Sequence, residues 1–364
     1  MAGRERRPGR YNSGVHPPPP VVMHPDWLAF LARRGANVAD GAVRDFGDPP
    51  RERAAAAAGS IVADISHYGL LTAAGADARA FLHSQLSCDV EGLPEGAAVY
   101  GAYCTAKGRV LANFLLWSAA GTFFMLLPRA LAPGIRKRLQ MFVLRSKVVL
   151  EERGDDPVVL GVAGPATAAP LAALVNAVPT GPLQVAHGDG VTAIAIHGRF
   201  VVVAPVARAP AIWDLFAAAL TSVGAPCWEW LEITSGLPWI TAATQDQFVP
   251  QMANLELVGG VNFRKGCYPG QEIVARMQYL GKPKRRLFLA HVDAETSPAP
   301  GEALVADGAG DQAAGTVVNA APAPEGGFDL LAVVQTASAD NATVRLGSPA
   351  GPALRFRPLP YPVT

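Results

Sequence analysis

Apolar and polar positions along the chain follow two periods, and each change of period marks an element. Residues 61–65 form a short apolar run that predicts a strand. Over residues 77–86 the period becomes helical: Ala78, Phe81, Leu82 and Leu86 fall on one face, with Asp77 placed as an N-cap. Residues 110–128 carry no charge and approach membrane-spanning length. Asn113 lies inside that run, and Ser118-Ala119-Ala120-Gly121-Thr122 breaks it, so it reads as a hairpin of two buried strands. A helix with Leu131, Ile135, Leu139 and Phe142 in register follows, then a strand over residues 147–150.

A second unit opens with a strand at 158–162, turns at Gly164-Pro165 and enters an alanine-rich helix. Strands near 193–196 and 199–204 come next, then a helix from Pro210, suited to a first helical position, to Gly224, suited to the end. The order strand, helix, strands, helix thus occurs twice, as in a duplicated α+β arrangement, although no repeat is visible residue by residue. After Arg286 short runs are separated by Gly, Pro, Asp and Asn, the texture of a small barrel or sandwich. The predicted fold class is α+β, with two α/β subdomains in residues 60–284, meeting near residue 155, and a C-terminal β-barrel in 285–364.

Residues 1–59 read as an extension and linker, largely disordered. Arg4, Arg6, Arg7 and Arg10 lead into Pro17-Pro18-Pro19-Pro20 without a following apolar stretch, which argues against a secretory signal. Met23 begins more ordinary sequence and reads as the start, residues 23–37 suit a short helix, and 45–59 look like a loose Ala/Pro/Arg linker.

Composition narrows the class. The chain has 364 residues, half of them apolar and 17% charged, enough to fold as two or three packed units. A net charge of +1 argues against a polyanion binder working by global electrostatics. Lys282, Lys284, Arg285 and Arg286 form a local basic run that reads as a solvated loop, so direct nucleic-acid binding is not expected. Cys88, Cys104, Cys227 and Cys267 are far apart, with no CxxC pair, which speaks against a disulfide framework or zinc site and for free thiols in the cytoplasm. His67, His83, His187, His197 and His291 are scattered and read as structural, and no metal site is expected.

The chemistry concentrates in Lys265-Gly266-Cys267-Tyr268-Pro269-Gly270-Gln271-Glu272. Gly259-Gly260 and Gly266 permit sharp turns, Pro269 suits a first helical turn, Ile273, Met277 and Leu280 form an apolar face, and Gly281 ends the helix. Cys267 would then sit at a helix N-terminus beside Arg264 and Lys265, where positive charge and the helix dipole favour a thiolate. A buried cysteine acting as a small hydrophobe is the other reading. Gln271 and Glu272 fit either backbone capping or a ligand.

This segment, with the following Val274-Ala275-Arg276 and Gly281-Lys282-x-Lys284-Arg285, resembles the signature of YgfZ-type proteins, relatives of the glycine-cleavage T-protein, an aminomethyltransferase. Gly75-Ala76-Asp77 with Phe81-Leu82-x-x-Gln85-Leu86 is similar to a second family motif, and Ala106-Lys107-Gly108-Arg109-Val110 to a third. The resemblance covers roughly residues 60–290. It implies a folate-binding body of two subdomains plus a barrel around a central channel, holding tetrahydrofolate or a derivative. It also implies an accessory role in assembly or repair of iron–sulfur clusters, supporting cluster-dependent enzymes including tRNA-modifying ones, with the assembly machinery or those clients as partners. Carried over by residue, Cys267 is the candidate functional thiol with Lys265 beside it. Tyr68, Trp228, Lys107, Tyr268, Gln271, Glu272 and Arg276 become folate-binding candidates, with Tyr68 or Trp228 stacking on the ligand. Relatives often carry an aspartate before the Lys107-Gly108 turn. Here Cys104-Thr105-Ala106 offers no acid, which weighs against the alternative activity, tetrahydrofolate-dependent aminomethyl transfer.

Overall fold

A computed structural model describes residues 23–281, 283–308 and 313–363. The chain begins with α1 (Pro25–Arg33), where proline suits the first turn and Trp27, Phe30 and Leu31 are buried on one face. The Trp27 indole N–H donates to Asp64 Oδ1 at 2.9 Å. A small hairpin, β1 (Asn37–Ala39) and β2 (Ala42–Asp45), leads into α2 (Pro49–Ala58). The loose linker expected over 45–59 is therefore replaced by structure, and residues 1–22 lie outside the described residues. Asp48 accepts from the Arg51 amide and caps α2, Pro49 opens it, and the alanine run propagates it. Buried Glu52 accepts from the amides of Phe46 (2.6 Å) and Gly224 (2.9 Å), tying α2 to the next subdomain.

The first large sheet has the order β5-β6-β7-β4-β8, from β4 (Tyr68–Ala74), β5 (Ala98–Cys104), β6 (Val110–Ala119), β7 (Thr122–Pro128) and β8 (Val149–Glu152). The helices α3 (Ala78–Gln85) and α4 (Ala132–Val143) complete that unit. The second sheet combines β3 (Ile61–Asp64) with β9 (Val158–Ala163), β10 (Val185–Gly188), β11 (Val191–Ile196), β12 (Arg199–Ala204) and β13 (Thr221–Val223), in the order β10-β11-β12-β9-β3-β13. Its helices are α5 (Ala168–Ala172) and α6 (Ala209–Ala217). Each unit thus runs strand, helix, three strands, helix, strand, with the same spatial order, except that β3 is inserted between β9 and β13 of the second. The duplication read from the sequence is real at the level of topology. The last strand of the first sheet, β8, ends at Glu152 and β9 of the second begins at Val158; β3, which precedes the first unit, pairs with β9 antiparallel and β13 parallel.

The two sheets pack face to face through one apolar cluster that includes Ile61, Leu70, Tyr100, Trp117, Ile194, Val201 and Trp228. Their outer faces are covered separately, the first by α3 and α4, the second by α1 and α6. Then α7 (Ala225–Thr234) and an irregular stretch lead to α8 (Gln271–Leu280) and the C-terminal sheet, in the order β18-β15-β16-β17-β14-β19. Its strands are β14 (Arg285–Val292), β15 (Ala303–Ala306), β16 (Ala313–Pro322), β17 (Phe328–Gln335), β18 (Val344–Leu346) and β19 (Arg355–Arg357), with α9 (Thr336–Asn341) before β18. This sheet curls as a half-barrel over its own core of Ala290, Leu304, Val317, Leu330 and Val344. Among the described residues no helix is long and apolar enough to cross a membrane.

Several local expectations change. Asp77 makes no side-chain cap; its Oδ2 instead accepts from the Lys147 amide at 2.7 Å. The helix expected to reach Gly224 ends at Ala217, because residues 221–223 extend to pair with β3, and Gly224 instead starts α7. Phe142 is exposed rather than inward. Of the basic run, Lys282 lies outside the described residues, and Arg286 is buried and paired with Glu256, so the run is not one solvated face.

Trp27 anchors the N-terminal segment through area and one hydrogen bond. Trp27→Ala is expected to lower the unfolding free energy by about 3–5 kcal/mol, read from urea midpoints. A loss below about 1 kcal/mol would mean that α1 is not part of the cooperative fold.

Candidate functional site

The signature loop is built against α3 and the Lys107 turn. Gly108 N donates to Thr105 O at 2.9 Å, closing a turn in which Gly108 has φ +70°. Gly270, at φ +83°, rests directly on it: a Cβ there would lie 2.4 Å from Thr105 O and 2.6 Å from Gly108 Cα. Two motifs more than 150 residues apart in sequence therefore meet as backbone against backbone, and only glycine permits the approach. Lys265 donates to the carbonyls of His83 and Leu86 (2.7 Å to the latter), capping the end of α3. Its ammonium lies 5.0 Å from the Tyr268 ring centroid.

Burial holds Lys265 below the usual lysine range and pushes the Tyr268 hydroxyl, which has no partner, upward. Cys267 is exposed, so the reading of a buried small hydrophobe does not apply to it. It precedes α8 by four residues rather than sitting in its first turn, because Gly270 is the cap and Pro269 lies outside the helix. Cys88, Cys104 and Cys227 are buried, and burial pushes each thiol up to about 12. On α8, Val274 faces inward while Ile273 and Leu280 are exposed, reversing the expected apolar face. Gln271 is half-buried; Lys107, Glu272 and Arg276 are exposed.

Tyr68 and Trp228 lie elsewhere, in the seam between the two sheets. Trp228 is fully buried on α7 and lies flat on β9 because residue 161 is glycine: a Cβ there would be 2.3 Å from the indole. The guanidinium of Arg199, at the start of β12, lies over the ring, 5.1 Å from its centroid. Its Nη1 donates to Leu231 O (2.6 Å) and Ser235 Oγ (2.9 Å), fastening the end of α7. Tyr68 donates to buried Glu232 Oε2 at 2.6 Å, and its ring is 4.7 Å from that of Trp239. Burial raises the Glu232 carboxyl, while Arg199 and the Tyr68 hydrogen bond oppose the rise.

Two cavities flank this seam. The first, of about 160 Å³, is lined by His67, Tyr68, Glu229, Glu232 and Trp239, with Pro300 and Asn319 of the C-terminal unit closing it. It is lined by the first unit, by α7 with the stretch that follows it, and by the C-terminal unit. Glu229 is pushed up to about 7 by burial and by Glu232, and His67 is lowered to about 3 by burial and by the charges of Arg129 and Arg44. His67 Nε2 is 3.7 Å from Glu229 Oε1, too far for a hydrogen bond, and neither ring nitrogen has a partner. The second cavity, of about 440 Å³, is lined by Tyr100, His197, Arg199, Leu257 and Val258 among others.

Of the residues singled out in the sequence, Tyr68 lines the first cavity; Trp228, packed in the seam, lines neither cavity, nor do Lys107, Lys265, Cys267, Tyr268, Gln271, Glu272 and Arg276 of the loop region. Glu229, Glu232, Trp239, Tyr100 and Arg199 were not foreseen. Their one visible signal was two carboxylates three residues apart within the otherwise apolar Cys227-Trp228-Glu229-Trp230-Leu231-Glu232-Ile233.

The raised Glu229 has a stability consequence. Its stabilising contribution is full below its ordinary value of 4.5 and is lost as pH rises through about 7. His67 acts in the opposite sense, contributing above 6.5 and losing this as pH falls toward about 3. Between about pH 5 and about pH 8 the urea midpoint of Glu229→Gln should therefore fall less, or rise more, than that of the parent. Parallel profiles for the two proteins would contradict the placement of Glu229.

Residues 46–262 match the GCVT N-terminal domain family. The tRNA-modifying protein YgfZ of Klebsiella pneumoniae (strain 342) is 32% identical over 318 residues, covering 86% of this chain and 97% of that protein. That of Colwellia psychrerythraea is 31% identical over 306 residues, covering 82% and 92%. The crystal structure of the glycine cleavage system aminomethyltransferase T from Bartonella henselae superposes with a TM-score of 0.78 at 19% identity, covering 93% of this chain and 98% of that one. The chain belongs to the GCVT family and, within it, to the YgfZ type.

Proposed function

We propose that this chain is a folate-binding accessory protein for assembly or repair of iron–sulfur clusters, supporting cluster-dependent enzymes, tRNA-modifying ones among them, from the cytoplasm. The observation that carries the binding half is the cavity between the first unit, α7 and the C-terminal unit. A pterin is flat, with an amine and a ring N–H along one edge, so it needs an aromatic wall and a carboxylate acceptor beside it. Tyr68 and Trp239 supply the wall, and Glu229 and Glu232 the carboxylates. Glu232 is already engaged by Tyr68, so Glu229 is the group left to accept from the ligand. Tetrahydrofolate, when bound, supplies nitrogens able to carry a one-carbon unit; the chain's own residues bind and orient it.

The second half rests on Cys267, an exposed thiol on a loop pinned by Lys265 and Gly270. Exposure makes it accessible to a protein-sized partner such as the cluster-assembly machinery or a cluster-containing client. Cys267 lines neither cavity, which supports reading folate binding and thiol chemistry as separate duties of the fold.

A tetrahydrofolate-dependent aminomethyl transferase is the competing reading, and Glu229 is the observation in its favour: a carboxyl near 7 inside the cavity suits general acid–base work. The absence of an acid before Lys107 favours binding without turnover.

Calorimetry should show one tetrahydrofolate per chain. Glu229→Gln should weaken it about tenfold, the scale of one hydrogen bond to a charged group. Cys267→Ser should leave that affinity unchanged yet fail to restore cluster-enzyme activity in cells lacking the protein. Full restoration by the serine variant would remove the thiol from the account. Methylene-tetrahydrofolate formed from an aminomethyl donor would establish the transferase instead.

A further inference from the structure

The second cavity is lined by residues whose donors the first cavity does not use. The Arg199 side chain is 4% exposed as a residue, yet only its Nη1 is used; Nε and Nη2 have no partner. These two nitrogens form the side edge of the guanidinium, whose parallel N–H bonds match the two oxygens of a carboxylate. The Tyr100 hydroxyl, on the same cavity wall, is buried and also without a partner. Burial raises its pKa well above the usual tyrosine range, so it keeps its proton and donates.

Arg199 and Tyr100 both line this cavity, and between them they carry three buried donors without a partner, which is costly unless something meets them. The nearest internal candidate to meet them, Glu232, is felt electrostatically by Arg199 and Tyr100 but is hydrogen-bonded to Tyr68 instead. His197, also on this wall, is held below the ordinary histidine value by burial, so the cationic partner for an anion is Arg199. The remaining surface includes Leu183, Ile196, Phe200, Leu257 and Val258, an apolar lining suited to a carbon body rather than an inorganic ion.

We propose that this cavity binds an organic acid through its carboxylate, held by Nε and Nη2 of Arg199 and the hydroxyl of Tyr100, with an apolar or aromatic body against Leu257 and Val258. Two sources share this chemistry: a free carboxylic acid, or the glutamyl tail of the folate whose pterin occupies the first cavity.

The test uses the intact chain with N-benzoylglycine and its uncharged amide as probes, followed by calorimetry. The acid should bind about tenfold or more tightly than the amide. Arg199 also fastens α7, so the informative variants are Tyr100→Phe and Leu257→Trp. Tyr100→Phe removes a hydroxyl that has no partner in the empty protein, and should weaken the acid severalfold without lowering the melting temperature. Leu257→Trp should fill the cavity and abolish binding. Equal affinity for acid and amide, or unchanged binding of the acid by both variants, would overturn the proposal. The source follows from a second arm. If the tail is held, Leu257→Trp weakens tetrahydrofolate but not tetrahydropteroate, which lacks the glutamyl group. If a separate acid is held, N-benzoylglycine binds the tetrahydrofolate-loaded protein with its affinity unchanged. Because the first probe contains no pterin, its failure and the failure of the folate reading are distinguishable.

Discussion

Charged and polar groups buried between two sheets, in a seam that is otherwise apolar, govern this molecule. Glu232, Arg199, Tyr68 and Tyr100 sit where aliphatic side chains would pack at lower desolvation cost. The cluster is only partly satisfied within the chain: Tyr68 meets Glu232 and one nitrogen of Arg199 meets the end of α7, while other donors have no partner. An incompletely satisfied polar network is unfavourable in a core that has only to be stable. It is intelligible in a core that meets ligands, and the two cavities on either side of the seam are where ligands would complete it.

The fold supplies this seam by repetition. Two units of equal topology place their sheets face to face, and β3, taken from before the first unit, completes the second sheet and binds them together. Then α7 runs along the junction with Trp228 turned onto glycine 161 and Glu229 and Glu232 toward the first cavity. The signature loop answers to a different constraint. Lys265 caps α3 and Gly270 presses on the Lys107 turn, so the residues flanking Cys267 fix the loop while the sulfur itself faces outward.

Much of the architecture was legible in sequence because it follows from periodicity. The hairpin broken at residues 118–122, the face of α3 and the short strands after Arg286 all stand as patterned. What escaped depended on contacts between distant segments. The 45–59 stretch looks like linker until the Glu52 carboxylate is seen bonded to the Gly224 amide 172 residues away. The apolar face of α8 was misread because helical spacing does not reveal which side has a neighbour; Val274 has one and Leu280 does not. For the site, motif resemblance drew attention to the loop and to Tyr68, which lines the first cavity. Arg199 and Tyr100 carry no local signal, since a lone arginine at a strand start and a tyrosine in an apolar strand become a site only when two sheets close on them.

The central claim is that the carboxylates of α7 face a pterin across the first cavity. A crystal structure of the protein grown with tetrahydrofolate addresses it directly. The account requires the pterin edge within hydrogen-bonding distance of Glu229 or Glu232, its plane against Tyr68 or Trp239, and Cys267 clear of the ligand. A pterin bound at the Cys267 loop, or one in the second cavity alone, would contradict it.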